Sequence, residues 1–309
     1  VAEAAADGHR SDADLGELAL VKYEGLGNDF LVLVDHGGGQ FVDSGVALAA
    51  CDRHRGWGAD GVLRAGPAPE GSAAAMTFDL HNADGSLAEM SGNGLRCLVH
   101  AAIDEGFVNA GAGDNVGVLT PAGRRQVTVR EIGRGWMWSS AEMGVPEVLG
   151  GDRVRCNVGH GQLLVDVGNP HVVVLGPDPA ALDIGSLGPA LSRELGTATG
   201  GTNVELVALG PGPDELTMRV WERGVGETQA CGTGSVAAAT ALHYWGRVGT
   251  KVTVNQPGGA AEVELRPDGV AVLSGPSRRI GPCRFAVAPG VSGQAGKAPG
   301  NAPGIGRGR

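Results

Sequence analysis

Apolar residues recur along this chain in two rhythms. Short stretches such as 126–130 and 261–265 alternate apolar with polar side chains and are closed by Gly/Pro turns, the pattern of half-buried β-strands. After Gly94 the spacing changes: Leu95, Leu98, Val99, Ala102 and Ile103 fall at i, i+3, i+4, i+7 and i+8, which predicts an amphipathic helix ending before Gly106. A second helical stretch, SVAAATALHYW after Gly234, is small and apolar on most sides and stops at Gly246. A helix apolar all round is a buried one.

These elements come twice. Leu26-Gly27-Asn28 and the apolar run after it resemble Val167-Gly168-Asn169 and the run after that, an offset of 141 from Asn28 to Asn169. The stretch 82–94 (NADGSLAEMSGNG) lines up with 222–234 (ERGVGETQACGTG) at 140, and Thr120-Pro121-Ala122-Gly123 echoes Gln256-Pro257-Gly258-Gly259 at 136. Three matches in one order at nearly constant offset point to a duplicated domain. The expected architecture is α+β: two pseudo-symmetric domains, each a mixed sheet or barrel wrapped around one central helix. The boundaries are set at 18–143 and 144–279, with 280–288 a final strand returning to the first domain. Residues 1–17 and the Gly/Pro/Ala-rich 289–309 are expected to be tails.

Composition narrows the partners. A net charge of −10 without a Lys/Arg cluster in the main body disfavours nucleic acid, and the apolar runs fall short of the ~20 residues a membrane helix needs. The 55 glycines show no collagen-like period and suit tight turns between many strands. Five cysteines (Cys51, Cys97, Cys156, Cys231, Cys283), odd in number and without a C-x-x-C pair, signal neither a disulfide framework nor a metal site. Their state fits the reducing cytoplasm. Cys97 lies on the apolar face of its helix and reads as core packing.

Candidate chemistry sits at the two helix starts. Ser91-Gly92-Asn93-Gly94 and Cys231-Gly232-Thr233-Gly234 each put a small nucleophilic side chain before a glycine-flanked helix N-terminus. Free backbone N–H groups and the positive dipole end there favour a carboxylate. The same field is expected to lower the thiol of Cys231 from about 8.5, making it a thiolate base.

The segments GLGNDF (25–30), CDRHRGWGADG (51–61), FDLHNADGS (78–86), GNGLRC (92–97), GNPH (168–171), TNVE (202–205) and RVWERGVGETQACGTG (219–234) resemble the signature stretches of the diaminopimelate epimerase family. The resemblance implies two domains of that form with the active site between them. It also implies interconversion of LL- and meso-2,6-diaminopimelate, a small-molecule substrate, without pyridoxal phosphate, metal or other cofactor, by two acid/base groups on opposite faces of the α-carbon. Those two places are Ser91 and Cys231. The α-carboxylate is expected on the amides of Gly92-Asn93 and Gly232-Thr233, and the remaining polar groups of the substrate on Asn28, Asn82, Asn169, Asn203, Glu222 and Arg223. His171 and Glu222 correspond to the residues that tune the acid/base pair. On its own residues, His171 also reads as a turn histidine, Glu222 as a surface carboxylate and Arg223 as an ion-pair partner of Glu227. The family implies a bacterial setting on the route to lysine and cell-wall precursors, and a homodimer is compatible with it.

The family places cysteine where Ser91 stands. An alcohol is a far weaker acid than a thiol, and its alkoxide is not accessible near neutral pH without an adjacent base. The expectation is an epimerase of reduced activity. The alternatives are a one-base amino-acid dehydratase or isomerase of the same superfamily, working through Cys231, and a non-catalytic amino-acid-binding homologue.

Overall fold

The structure is a computed structural model, which describes residues 16–151, 161–195 and 201–287. The first half runs β1 (Gly16–Gly25), β2 (Asn28–Val34), α1 (Ser44–Cys51), β3 (Gly61–Pro67), β4 (Met76–Asn82), α2 (Gly92–Asp104), β5 (Asn115–Thr120), β6 (Gly123–Gly133) and β7 (Trp136–Gly144). The second runs β8 (Glu147–Gly151), β9 (Gly161–Asp166), β10 (Pro170–Leu175), α3 (Ile184–Leu195), β11 (Asn203–Leu209), β12 (Glu215–Glu222), β13 (Gly226–Thr228), α4 (Gly232–Tyr244), β14 (Lys251–Gln256), β15 (Gly259–Leu265) and β16 (Ala271–Val287). Most of the expected tails and Cys156 lie outside the described residues; Gly16 and Glu17 belong to β1, opposite Val287 and Ala286.

The duplication is written in the pairing. From β1 to β7 successive pairs are antiparallel, parallel, antiparallel, parallel, antiparallel and antiparallel. The series β9–β10–β11–β12–β14–β15–β16 repeats that order. Strand β16 pairs with both β7 and β1, so β1 to β7 and β16 close into a barrel around α2. The same strand pairs with β15 and walls the second sheet, which curves around α4.

Both central helices are buried all round. In α4 the Val, Ala, Ser and Thr side chains are small enough for strands to approach from every side. In α2 the polar stripe is internal as well: Asn93, Arg96 and His100 are all buried. Burial requires partners. Arg96 Nη2 donates to Asn93 Oδ1 at 2.8 Å, and His100 Nδ1 lies 3.0 Å from Ser277 Oγ. The guanidinium fits because Gly275 has no side chain: a Cβ there would come within 3.1 Å of Nη2. Burial pushes Arg96 down to about 10.

Each half also carries a second helix beyond the single one expected. A parallel pair cannot be joined by a tight turn and needs a crossover. Helix α1 bridges β2 and β3, and α3 bridges β10 and β11. Against α1, Leu31, Leu33 and Val62 form an outer cluster with Ala47, Ala50 and Cys51. Against α3, Val172, Val174, Val204 and Leu206 do the same with Ile184 and Leu191. Covered on both faces, β2 and β10 are continuously apolar instead of alternating. No helix among the described residues is long and apolar enough to cross a membrane.

Candidate active site

Ser91 and Cys231 are the N-caps of α2 and α4. Both are in extended conformation, and each turns its side chain back onto the helix: Ser91 Oγ accepts from the Gly94 N–H at 3.0 Å and Cys231 Sγ from the Gly234 N–H at 3.4 Å. The two helix starts touch. A Cβ on Gly232 would lie 3.2 Å from Gly92 Cα and 3.3 Å from Asn93 N, so glycine is required for the approach. Leu273 of the shared strand β16 supports both, within 2.6 Å of a Cβ at Gly92 and 2.9 Å of one at Gly232. The contact brings two positive dipole ends and their free amides to one place.

A cleft of about 620 Å3 opens over this junction. Asn28, Asn82, Ser91, Gly92, Asn169, Asn203, Glu222, Arg223, Cys231, Gly232 and Thr233 all line it. Two expected residues stand behind the wall. Asn93 is 1% exposed and donates from Nδ2 to Asn28 Oδ1 at 3.3 Å, linking Arg96 to the cleft through Asn28, which in turn donates to Asp60 at 2.7 Å. His171 is fully buried, with Nε2 2.9 Å from Asn169 Oδ1. The Arg223 backbone N–H donates to Asn203 Oδ1 at 2.9 Å, tying the turn after β12 to the cleft. Glu227 pairs with Arg219 at 2.7 Å and not with Arg223, which lines the cleft and donates from Nη1 to the Gly201 carbonyl at 3.4 Å.

The electrostatics differ from expectation at Cys231. Burial, then the carboxylates of Glu222 and Glu205, push its thiol well above the ordinary range; the contacts from Thr233 Oγ1 and the Gly234 amide offset only part of this. Desolvation and nearby negative charge outweigh the helix dipole, so Cys231 rests as the thiol. Glu222 is itself pushed up to about 7, by burial first, against a hydrogen bond from Thr228 Oγ1 at 2.5 Å. Cys97 is fully buried and raised to about 12, in keeping with core packing.

Sequence reasoning missed three groups. Thr228 and Asp60 line the cleft. Glu205, the last residue of TNVE, is fully buried with Oε1 2.6 Å from His171 Nδ1. The signal was a carboxylate inside an apolar strand, NVELVAL.

This fold, with two facing helix caps over a cleft between repeated halves, is similar to that of solved structures named as a racemase and an epimerase. A probable proline racemase from Agrobacterium radiobacter K84, with bound carbonate, superposes with a TM-score of 0.69 at 18% identity, covering 88% of this chain and 94% of that one. A hydroxyproline epimerase from Agrobacterium vitis does so with 0.69 at 18% over 88% and 92%. At sequence level, the model of the family described as diaminopimelate epimerase matches residues 20–149 and 163–280. Diaminopimelate epimerase of Corynebacterium glutamicum is 39% identical over 82% of this chain and 92% of its own length. The enzymes of that name from Corynebacterium aurimucosum and Synechococcus elongatus are 40% and 36% identical, each over 85% of this chain and 98% and 96% of their own. The chain belongs to the diaminopimelate epimerase family.

Proposed function

We propose that this protein epimerises 2,6-diaminopimelate between its LL and meso forms, in the cytoplasm, by removing and returning the α-proton. The observation that carries this reading is the pair of touching helix starts that present Ser91 and Cys231 to one cleft. The α-carboxylate lies on the amides of Gly92-Asn93 and Gly232-Thr233, which also stabilise the negative charge that develops as the proton leaves. The asparagines, Glu222 and Arg223 give the substrate's remaining charges partners in a confined space. On one face, Cys231 passes its proton to the Glu222 carboxylate and removes the α-proton as thiolate. On the other, Ser91 Oγ–H relays a proton from a solvent water so that no alkoxide persists, the hydroxide formed is neutralised by the proton that Glu222 releases, and the centre inverts. In the reverse direction Cys231 donates as thiol.

Ser91 makes this a handicapped pair. Each cap side chain accepts from the amide three residues on, but only Cys231 brings a thiol, with the carboxylate of Glu222 acting on it. That asymmetry also supports a second reading, one-base chemistry in which Cys231 takes the α-proton and a β-substituent departs.

The test is α-proton exchange in D2O under reducing conditions, followed by NMR with LL-diaminopimelate, for the parent and for Ser91→Cys. The expected result is deuterium at the α-carbon with the meso isomer forming, and about 100-fold faster turnover in Ser91→Cys, the usual worth of a positioned acid/base group. Exchange without inversion in both proteins favours the one-base reading. Binding with no exchange in either overturns the epimerase assignment and leaves an amino-acid-binding homologue.

A further inference from the structure

Glu205 and His171 form a fully buried pair behind the cleft, and neither belongs to its wall. Parallel strands β10 and β11 set His171 opposite Asn203 and Val173 opposite Glu205, which puts His171 and Glu205 on one face as diagonal neighbours. Both ring nitrogens face acceptors: Nδ1 meets Glu205 Oε1 at 2.6 Å and Nε2 meets Asn169 Oδ1 at 2.9 Å. A carboxylate can only accept, so Nδ1–H donates to Glu205 and fixes the plane of the ring. Through Nε2 the ring holds the side chain of Asn169, which lines the cleft. Glu205 Oε2 has no hydrogen-bond partner. The carboxylate also reaches the first turn of α4: a Cβ on Gly234 would meet Glu205 Oε1 at 2.8 Å and Cys231 Sγ at 3.3 Å. Taken end to end, those distances keep the carboxylate and the sulfur within about 6 Å of each other.

We infer that Glu205 is a positioning residue of this site: its buried carboxylate fixes His171, and through it the Asn169 amide in the cleft, while keeping negative charge beside Cys231. The inference rests on the proposed function in treating the cleft as the reaction site. Glu205 touches neither substrate nor reacting atom. After burial and Glu222, it adds to the negative charge that keeps Cys231 a thiol, and through His171 it holds an asparagine of the wall. The charged groups facing Cys231 are Glu205 from β11 and Glu222 from β12, with His171 of β10 behind Glu205. The elements touching the start of α4 present uncharged groups, Gly92 and Asn93 from α2, Gln256 from β14 and Leu273 from β16, while Asp60, Asp84, Glu89 and Arg223 line the same cleft.

The experiment is the pH profile of Cys231 alkylation by iodoacetamide in the full chain, quantified on the peptide that carries Cys231, with no substrate present. In Glu205→Gln the isosteric amide removes the charge, and the midpoint is expected to fall by about one pH unit, so that alkylation at pH 8 is about ten-fold faster. Glu205→Asp keeps the charge and is expected to stay near the parent profile. If Glu205→Gln does not fold, Glu205→Met carries the same expected fall. An unchanged midpoint in a folded Gln or Met variant, or an equal fall in Glu205→Asp, overturns the inference, because a merely structural pair would not make the thiol follow charge. Alkylation requires no turnover, so a shifted midpoint in a protein that shows no α-proton exchange would sink the proposed function and leave Glu205 as the group that sets Cys231.

Discussion

Glu222 borders the cleft with a carboxyl group held near pH 7, so close to neutrality it is divided between acid and carboxylate. Cys231 rests as thiol and needs an acceptor before it can remove a proton, and the ionised Glu222 supplies one. Turnover with Cys231 as base is therefore expected to rise through about pH 7 as Glu222 ionises. Glu222→Gln should flatten that limb and slow exchange by about 100-fold, read from the pH dependence of deuterium incorporation; an unaltered limb would remove Glu222 from the proton path. The caps Ser91 and Cys231 were legible because small polar residues before glycine-flanked apolar runs have one common use, as N-caps. Glu205 was not. Its meaning depends on His171, 34 residues earlier, and only the parallel register of β10 and β11 makes them neighbours. The direction of the Cys231 shift was misread for a related reason. The helix dipole is visible in sequence, whereas the carboxylates that outweigh it arrive from other strands.

At the scale of elements, the site depends on how closely turns and helix starts approach across the two halves. Leu26 has a positive φ of 58° and is followed by Gly27 at 80°, so the turn before Asn28 is strained at its first residue. Its partner is the turn after β14, where a Cβ on Gly258 would sit 1.8 Å from the Leu26 carbonyl oxygen. Gly258→Ala must push the Leu26 turn, and with it Asn28, away from the cleft. The expected cost is about 3 kcal/mol by chemical denaturation, with a raised KM; a variant with parent stability and KM would show that the contact does not place Asn28. The pattern-based reading captured both central helices and the barrel strands, since their periods persist over several turns or residues. It missed α1, because the eight residues Ser44–Cys51 are short and too uniformly small and apolar to show a helical stripe. It left the polar face of α2 without partners, because nothing local shows that Arg96 meets Asn93 inside a barrel.

For the whole molecule, β16 is the member both halves share. Its first residues pair with β15 and β7, and its last ones with β1, from Arg278 opposite Glu24 to Val287 opposite Gly16. A barrel has no free edge only while it is closed. Residues after Gly281 carry six of the nine residue pairs that close the first barrel and bring Cys283 and Phe285 against Leu18, Leu20 and Leu31, whereas Leu273, under both helix starts, lies before that point. Ending the chain after Gly281 should therefore open the N-terminal barrel and leave the second sheet nearly intact. Compared with a chain ending at Val287, the expected loss is about 3 kcal/mol, or about 10 °C in Tm. Hydrogen exchange should speed up at the α2 amides while those of α4 remain protected. Equal deprotection of both helices would mean that the halves unfold as one cooperative unit. Ser91 and Cys231 would then be held together by global stability, and α2 could not loosen its cap while α4 keeps its own.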